Sequence, residues 1–203
     1  MAAAVHGNQN RVTDGRSARR ERGRVAVTEA TLALILETGS SPSAHEIAAE
    51  AGVSEASVFR YFESLDELRD ATSELFMTRF AHLMEIPNLG SGTRRERIDS
   101  YIAARVQLFE MTANVLRLVR HRAFDHDSAT DAQRLLALSA ARGARQHFET
   151  EISTLIPSEA ETVIAIISTL TSFDTWEQMR HIHGRGPHQL TRAWSRALER
   201  ILP

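Results

Sequence analysis

The sequence has no cysteine and no lysine. Without Cys there can be no disulfide, no thiolate metal site and no Cys nucleophile. Without Lys, all 24 basic residues are arginines, whose planar guanidinium forks match phosphate oxygens well. Long apolar runs are missing too: no window reaches the ~18 uninterrupted apolar residues that suggest a membrane span. Val12 to Arg24 is polar and Arg-rich, with no apolar signal core, so a cytoplasmic location is expected. Gly-x-Ser-x-Gly, a Gly-rich phosphate loop and His-Glu-x-x-His are all absent. Neither enzymatic activity nor a cofactor is therefore expected. Strand-like alternation of useful length and internal repeats are missing as well. What remains is an ordinary globular composition, 42% hydrophobic and 25% charged, in a chain long enough for one or two domains.

Charge does not announce a nucleic-acid partner. The formal net charge is −2, and residues 1–85 hold nine Arg against thirteen Asp and Glu. A DNA-binding surface must therefore be a local positive face. The first 24 residues supply one: Arg11, Arg16, Arg19, Arg20, Arg22 and Arg24 against Asp14 and Glu21, a net +4.

The periodicity predicts an all-α chain of about nine helices. Residues 1–16 have little apolar content and are expected to stay disordered until they meet DNA. A first helix should run from Ser17 to Thr38, with Val25, Thr28, Leu32 and Ile35 on one face, and end at Gly39. Ser43 caps a second helix. Gly52 supplies the positive φ of a chain reversal, and Ser54 caps a third helix, Glu55 to Glu63. Ser64 and Glu67 have capping-box spacing for a fourth, which reaches Glu85. Ile86 to Thr93, with Pro87, Gly90 and Gly92, reads as the boundary between a domain at 17–85 and another at 86–203. Further helices are expected at Arg94–Glu110, Ala113–Phe124, Ala129–Ile156 with a weak point at Gly143, Glu159–His181 and His188–Leu202.

Ile47, Ala48 and Ala51 form one apolar stripe, and Val53, Val58 and Phe62 can close the same small core. Two short helices joined by so tight a turn make a helix-turn-helix, whose second helix enters the DNA major groove. The stretch Ile47-Ala48, Ala51-Gly52-Val53-Ser54, Phe59-Arg60-Tyr61-Phe62 and Ser64 to Leu68, with Gly39 before it, resembles the N-terminal DNA-binding domain of the tetracycline-repressor (TetR) family. The likeness extends over roughly residues 17–85 and more loosely to Ser172–Trp176 and Met179-Arg180.

The resemblance implies a homodimeric regulator of transcription, by default a repressor, released from a palindromic operator by a small-molecule effector. It places Ser43 and Ala44 near phosphate, with His45 contacting base or phosphate. After the capping Ser54, itself a DNA-contact candidate, Glu55, Ala56 and Ser57 begin the recognition helix and would face base edges; Phe59, Arg60 and Tyr61 sit at phosphate and groove contacts. Arg19, Arg20 and Arg24 of the arm are expected to reach phosphate or the minor groove. Three departures weaken the pattern. Phe59 lacks the hydroxyl of the common Tyr, and Leu65 replaces a common phosphate-binding Lys. Glu55 puts a carboxylate near DNA, where it could accept from a cytosine amino group or merely favour the helix N-terminus.

In the C-terminal region, Phe109, Leu116, Phe124, Phe148, Phe173 and Trp176 supply apolar bulk for either a core or the walls of a ligand cavity. Tyr101, Arg105 and Arg120, with His147 and Asp174, are candidate polar contacts, and an Arg in the wall would suit an anion. By resemblance the last two long helices form the dimer through Thr162, Ile166, Thr169, Leu170, Leu190, Ala193, Trp194 and Ala197. The histidines at 181, 183 and 188 and the stretch from His121 to Asp127 have metal-binding donor types, but their spacing fits solvated helix ends better, and no metal is expected. Two other readings stay open: a ligand-independent DNA-binding protein with a filled core, and a helical metal-dependent enzyme.

Overall fold

The computed structural model describes residues 7–122 and 127–203, with side chains from Ser17 onward except at 127–129 and 132. The described residues form ten α-helices and one π-helical turn joined by loops, with no strand among them. The chain forms two compact units, Met1–Arg79 and Phe80–Pro203.

The first unit is built from α1 (Gly7–Thr38), α2 (Ala44–Ala51), α3 (Glu55–Tyr61) and most of α4 (Leu65–Met84). α1 starts at Gly7 rather than Ser17, so residues 7–16 of the expected disordered arm are helical. No proline precedes Pro42, and Arg, Gln and Ala sustain the helix. Residues 1–6 of that arm lie outside the described residues. The buried face of α1 also differs from the expected stripe: Val25 is 53% exposed, whereas Val27 is fully buried. Val27 joins Ile47, Ala48, Val58, Phe62 and Leu68 in one core, with Leu34, Val53 and Leu65 packed against it. Each fully buried Val, Ile, Leu or Phe there contributes roughly 1.5–3 kcal/mol.

In the second unit α5 (Arg94–Arg122) packs against α6 (Asp127–His147), α9 (Phe173–Glu177) and α10 (Pro187–Ile201), and α8 (Pro157–Leu170) packs against α6 and α10. The short α7 (Glu149–Ile152) follows α6. Ile98, Tyr101, Ile102 and Phe109 of α5, Ile167 of α8, and Leu190, Trp194 and Leu198 of α10 are buried. α5 is one helix where two were expected. No Gly or Pro interrupts residues 93–142, and Thr112 spends its hydroxyl on the Leu108 carbonyl, 2.6 Å away, within the helix. Conversely, the single helix expected over Glu159–His181 is broken at Thr171-Ser172. Ser172 caps α9 by accepting the Thr175 N–H at 3.3 Å. Thr171 is held from α5: its hydroxyl is 3.2 Å from Tyr101 Oη, and its carbonyl accepts from Arg105 Nε at 3.2 Å. A π-helical turn, Gln178–Ile182, ends the segment.

Candidate nucleic-acid interface and the helical-unit cavity

α2 begins in a capping box. Ser43 Oγ accepts the Glu46 N–H at 3.3 Å, and the Glu46 carboxylate accepts the Ser43 N–H at 2.7 Å. The Ser43 hydroxyl, then its N–H, hold the Glu46 carboxyl below the usual carboxylate value. At the other end Gly52 is left-handed, φ 66° and ψ 34°. Its N–H reaches the Ala49 carbonyl at 3.3 Å, and that of Val53 reaches Ala48 at 3.0 Å. These two bonds are a Schellman ending. They deliver Ser54 to cap α3, its hydroxyl accepting the Ser57 N–H at 3.2 Å.

The caps fix which face of α3 looks outward. Glu55, Ala56, Phe59 and Arg60 are exposed, and Phe59 is 54% so. His45 of α2 is also exposed, with Nδ1 2.9 Å from a Glu55 carboxylate oxygen. A carboxylate that can accept, an arginine that can donate and an imidazole thus share one outer surface. Behind α3, Gly23 of α1 faces Tyr61: a Cβ at that position would come within 2.7 Å of the Tyr61 hydroxyl.

The second unit contains a cavity of about 40 Å³ between α5 and α6. Tyr101, Ala104, Arg105 and Leu108 line one side; Leu136, Ser139, Ala140 and Gly143 line the other, and Leu83, Met84 and Ile86 complete it. Of the side chains expected at a ligand cavity, Tyr101 and Arg105 are there. The others that are described lie elsewhere. Phe109, Phe173 and Trp176 form an aromatic cluster with centroids 5.6–6.0 Å apart. Phe148 packs edge-on to Tyr101, centroids 5.2 Å apart. Leu116 is half-buried on α5 away from the lining, and Phe124 lies outside the described residues. Arg120 is engaged by Asp174 at 3.0 Å, next to Glu177 at 3.9 Å. Their carboxylates offset its charge, and it does not line the cavity. Glycine and small residues on α6, together with Leu83 and Met84, make the cavity; nothing in their periodicity distinguishes them from core.

Residues 27–72 match the family described as "Bacterial regulatory proteins, tetR family". The chain carries a tetR-family DNA-binding domain. Among solved structures, a tetR-family transcriptional regulator from Streptomyces coelicolor superposes with a TM-score of 0.70 at 18% identity, over 89% of this chain and 80% of that one. A transcriptional regulator from Rhodococcus sp. Rha1 superposes at 0.66 with 22% identity, over 88% of this chain and 95% of that one. The likeness of fold thus extends beyond residues 27–72 to most of the chain. No curated protein matches the sequence.

Within the first unit several side chains sit differently from expectation. Arg24 points inward. Nη1 donates to the Tyr61 carbonyl at 2.6 Å and to Glu67 at 2.7 Å, and the guanidinium lies 4.3 Å from the Phe62 ring centroid. It ties α1 to the end of α3. Glu67 also accepts the Glu63 N–H at 2.6 Å, and that bond, then Arg24, holds its carboxyl below the usual value. Glu67 thus caps α4 by reaching back to Glu63, while Ser64 accepts the Glu67 N–H at 3.1 Å. Ser57, expected at base edges, is 9% exposed and accepts from Arg60 Nη2 at 2.9 Å. Its polar group is needed inside. Arg19, Arg20, Ser43 and Ser54 are exposed; Ala44 and Tyr61 are half-buried. Leu65 packs on the core instead of reaching outward.

The eight residues expected at a dimer contact divide by exposure. Thr162, Ile166 and Thr169 of α8 and Ala193 of α10 are exposed, with Ile166 at 46%. Leu170 and Ala197 are half-buried. Leu190 and Trp194 are not available to a partner: at 0% and 2% exposure they belong to the chain's own core. The α10 stripe is thus split: Leu190 and Trp194 face inward, while Ala193 faces outward. His181 sits 3.1 Å from Glu177 and 2.8 Å from Arg117. Among the described residues no three His, Asp or Glu side chains gather as a metal site would need, and no helix is long and apolar enough to cross a membrane.

Proposed function

We propose that the protein is a homodimeric, one-component repressor in the cytoplasm, which binds a palindromic operator through α3 and leaves it when a small molecule enters the second unit. The observation that carries this reading is the capped α2–α3 pair. Ser43, the Gly52 Schellman turn and Ser54 fix α3, and its outer face offers Glu55, Ala56, Phe59 and Arg60 without burying any of them. Glu55 and Arg60 are suited to base and phosphate contacts, and Arg19 and Arg20 on exposed α1 add positive charge. One recognition helix covers few base pairs, so specific binding calls for two, spaced about 34–36 Å apart in successive major grooves. The exposed Thr162, Ile166, Thr169 and Ala193 offer a charge-poor face for a second copy. A ligand that prefers another spacing shifts the population away from the DNA-competent form.

The test is selection of bound sequences from a random double-stranded library by the full chain. One enriched inverted repeat is expected. No enrichment at low and at moderate salt would overturn the reading. The size of the α5–α6 cavity favours one competing reading: about 40 Å³ is well below the ~300–1,000 Å³ of drug-sized ligand pockets, as in a DNA-binding protein that needs no effector, whereas an open groove of about 350 Å³ beside Met179, Arg185 and Gln189 reaches that range. A ligand that weakens binding to the selected operator decides between the two.

A further inference from the structure

Arg105 is an exception on α5. Arg95, Arg97, Arg117 and Arg120 each pair with a carboxylate, and Arg94 donates to the carbonyls of Glu199, Leu202 and Pro203 at the chain end. Arg105 has no carboxylate partner among the described residues. Its Nε donates to the Thr171 carbonyl at 3.2 Å, and its guanidinium lies 4.6 Å from the Phe109 ring centroid. Neither partner carries a negative charge. Burial pushes its pKa below the usual arginine value, with Tyr101 opposing in part. The molecule thus keeps a half-buried cation, with both Nη groups uncommitted among the described residues, in the wall of a cavity.

We propose that this cavity binds a small monocarboxylate, with the carboxylate on the Arg105 fork. The inference rests on the effector-binding reading above. A guanidinium fork matches the two oxygens of a carboxylate in a paired, charge-assisted contact. A single cation in the lining balances a single negative charge, which disfavours a phosphate dianion. Tyr101 adds no donor: Thr171 Oγ1 gives its proton to the Ile167 carbonyl at 2.8 Å, so the Tyr101 hydroxyl must donate to Thr171. Ser139, whose hydroxyl is unpartnered among the described residues, is the second donor in the lining, and Leu83, Met84, Leu108 and Leu136 are apolar. At roughly 10–15 Å³ per water-sized group, the cavity's approximately 40 Å³ takes about three heavy atoms, those of one carboxylate. An apolar tail must then leave past exposed Ser139 or push α6 aside, which would couple occupancy to a movement of α6.

The experiment is isothermal titration calorimetry on the full chain with butyrate, hexanoate and benzoate, set against 1-hexanol and inorganic phosphate. At least one carboxylate should bind at one site per chain, with 1-hexanol and phosphate weaker by tenfold or more. Arg105→Met should lose at least tenfold in affinity for that carboxylate, and Arg105→Lys should lose less. Thermal melting checks that both variants fold; if Arg105→Met does not, the comparison of hexanoate with 1-hexanol in the unaltered chain decides. Absence of carboxylate binding, equal affinity in a folded Arg105→Met variant, or tighter binding of phosphate would each overturn the proposal. Operator affinity measured in parallel separates it from the functional reading. A carboxylate that binds without changing operator affinity supports the Arg105 site and overturns effector release. Operator binding with no carboxylate binding overturns the Arg105 site alone.

Discussion

Gly23 sits mid-helix in α1, where glycine costs about 1 kcal/mol relative to alanine, yet an alanine Cβ there would meet the Tyr61 ring. The ring tip can swing aside, so Gly23→Ala should leave stability within about 1 kcal/mol while moving Tyr61 at the end of α3. Thermal melting and operator titration together should show near-normal folding with weaker DNA binding; unchanged operator affinity would contradict the role given to this packing. Arg24 and its neighbours Arg19 and Arg20 are chemically alike but differently placed. Arg24→Gln should lower the melting temperature with little effect on the salt dependence of binding, because its guanidinium is spent on Tyr61 and Glu67. Arg19→Gln with Arg20→Gln should do the reverse, flattening the plot of log affinity against log salt by about two. Sequence showed all three as one basic arm. It could not show which would turn inward, because that depends on where Glu67 and the Tyr61 carbonyl come to lie. Ser43, Gly52 and Ser54 were legible, since caps and positive φ are properties of single residues and their immediate neighbours.

At the scale of elements, the α2–α3 turn depends on the left-handed Gly52, around which a Cβ would meet nothing within 4 Å. Gly52→Ala should therefore cost about 1–2 kcal/mol through backbone conformation alone, and Gly52→Asn less, as urea unfolding would show. In the second unit, His147 joins the end of α6 to the turn before α5. Nδ1 accepts the Gly90 N–H at 3.1 Å, and Nε2 faces the Arg97 carbonyl at 2.8 Å, so the ring is neutral and protonated on Nε2. Burial lowers its pKa below the ordinary 6.5, partly offset by the Arg97 carbonyl. The unfolded chain then takes up a proton that the folded chain refuses. Stability from this site should be full above pH ~6.5 and fall as pH drops from there toward the lowered native value. Melting from pH 8 to 5 should show a slope that His147→Gln reduces; an unchanged slope would contradict the assignment. Helices with strong local signals were readable, but their joints were less so. α5 runs through Met111-Thr112 because nothing there stops it. α8 ends at Leu170 because Tyr101 and Arg105, some seventy positions earlier in the chain, hold Thr171, a long-range cause with no local trace.

For the whole molecule, the tetR-family domain was the most legible part, since its core and caps lie within a few dozen consecutive residues. The dimer face was less so: helical periodicity marked Leu190 and Trp194 as apolar but could not tell a partner from the chain's own core. If Ile166 lies in the contact, Ile166→Glu should shift sedimentation from dimer toward monomer and weaken operator binding, while the tetR domain stays folded. A monomeric unaltered chain that still binds an inverted repeat tightly would contradict that arrangement. If two copies of α3 read one face of a duplex, hydroxyl-radical footprinting on the selected operator will register both. Two protected patches are predicted, centred one helical turn apart, about 10–10.5 base pairs, and weakened together by Arg60→Ala. A single patch, or protection indifferent to Arg60, would contradict the account.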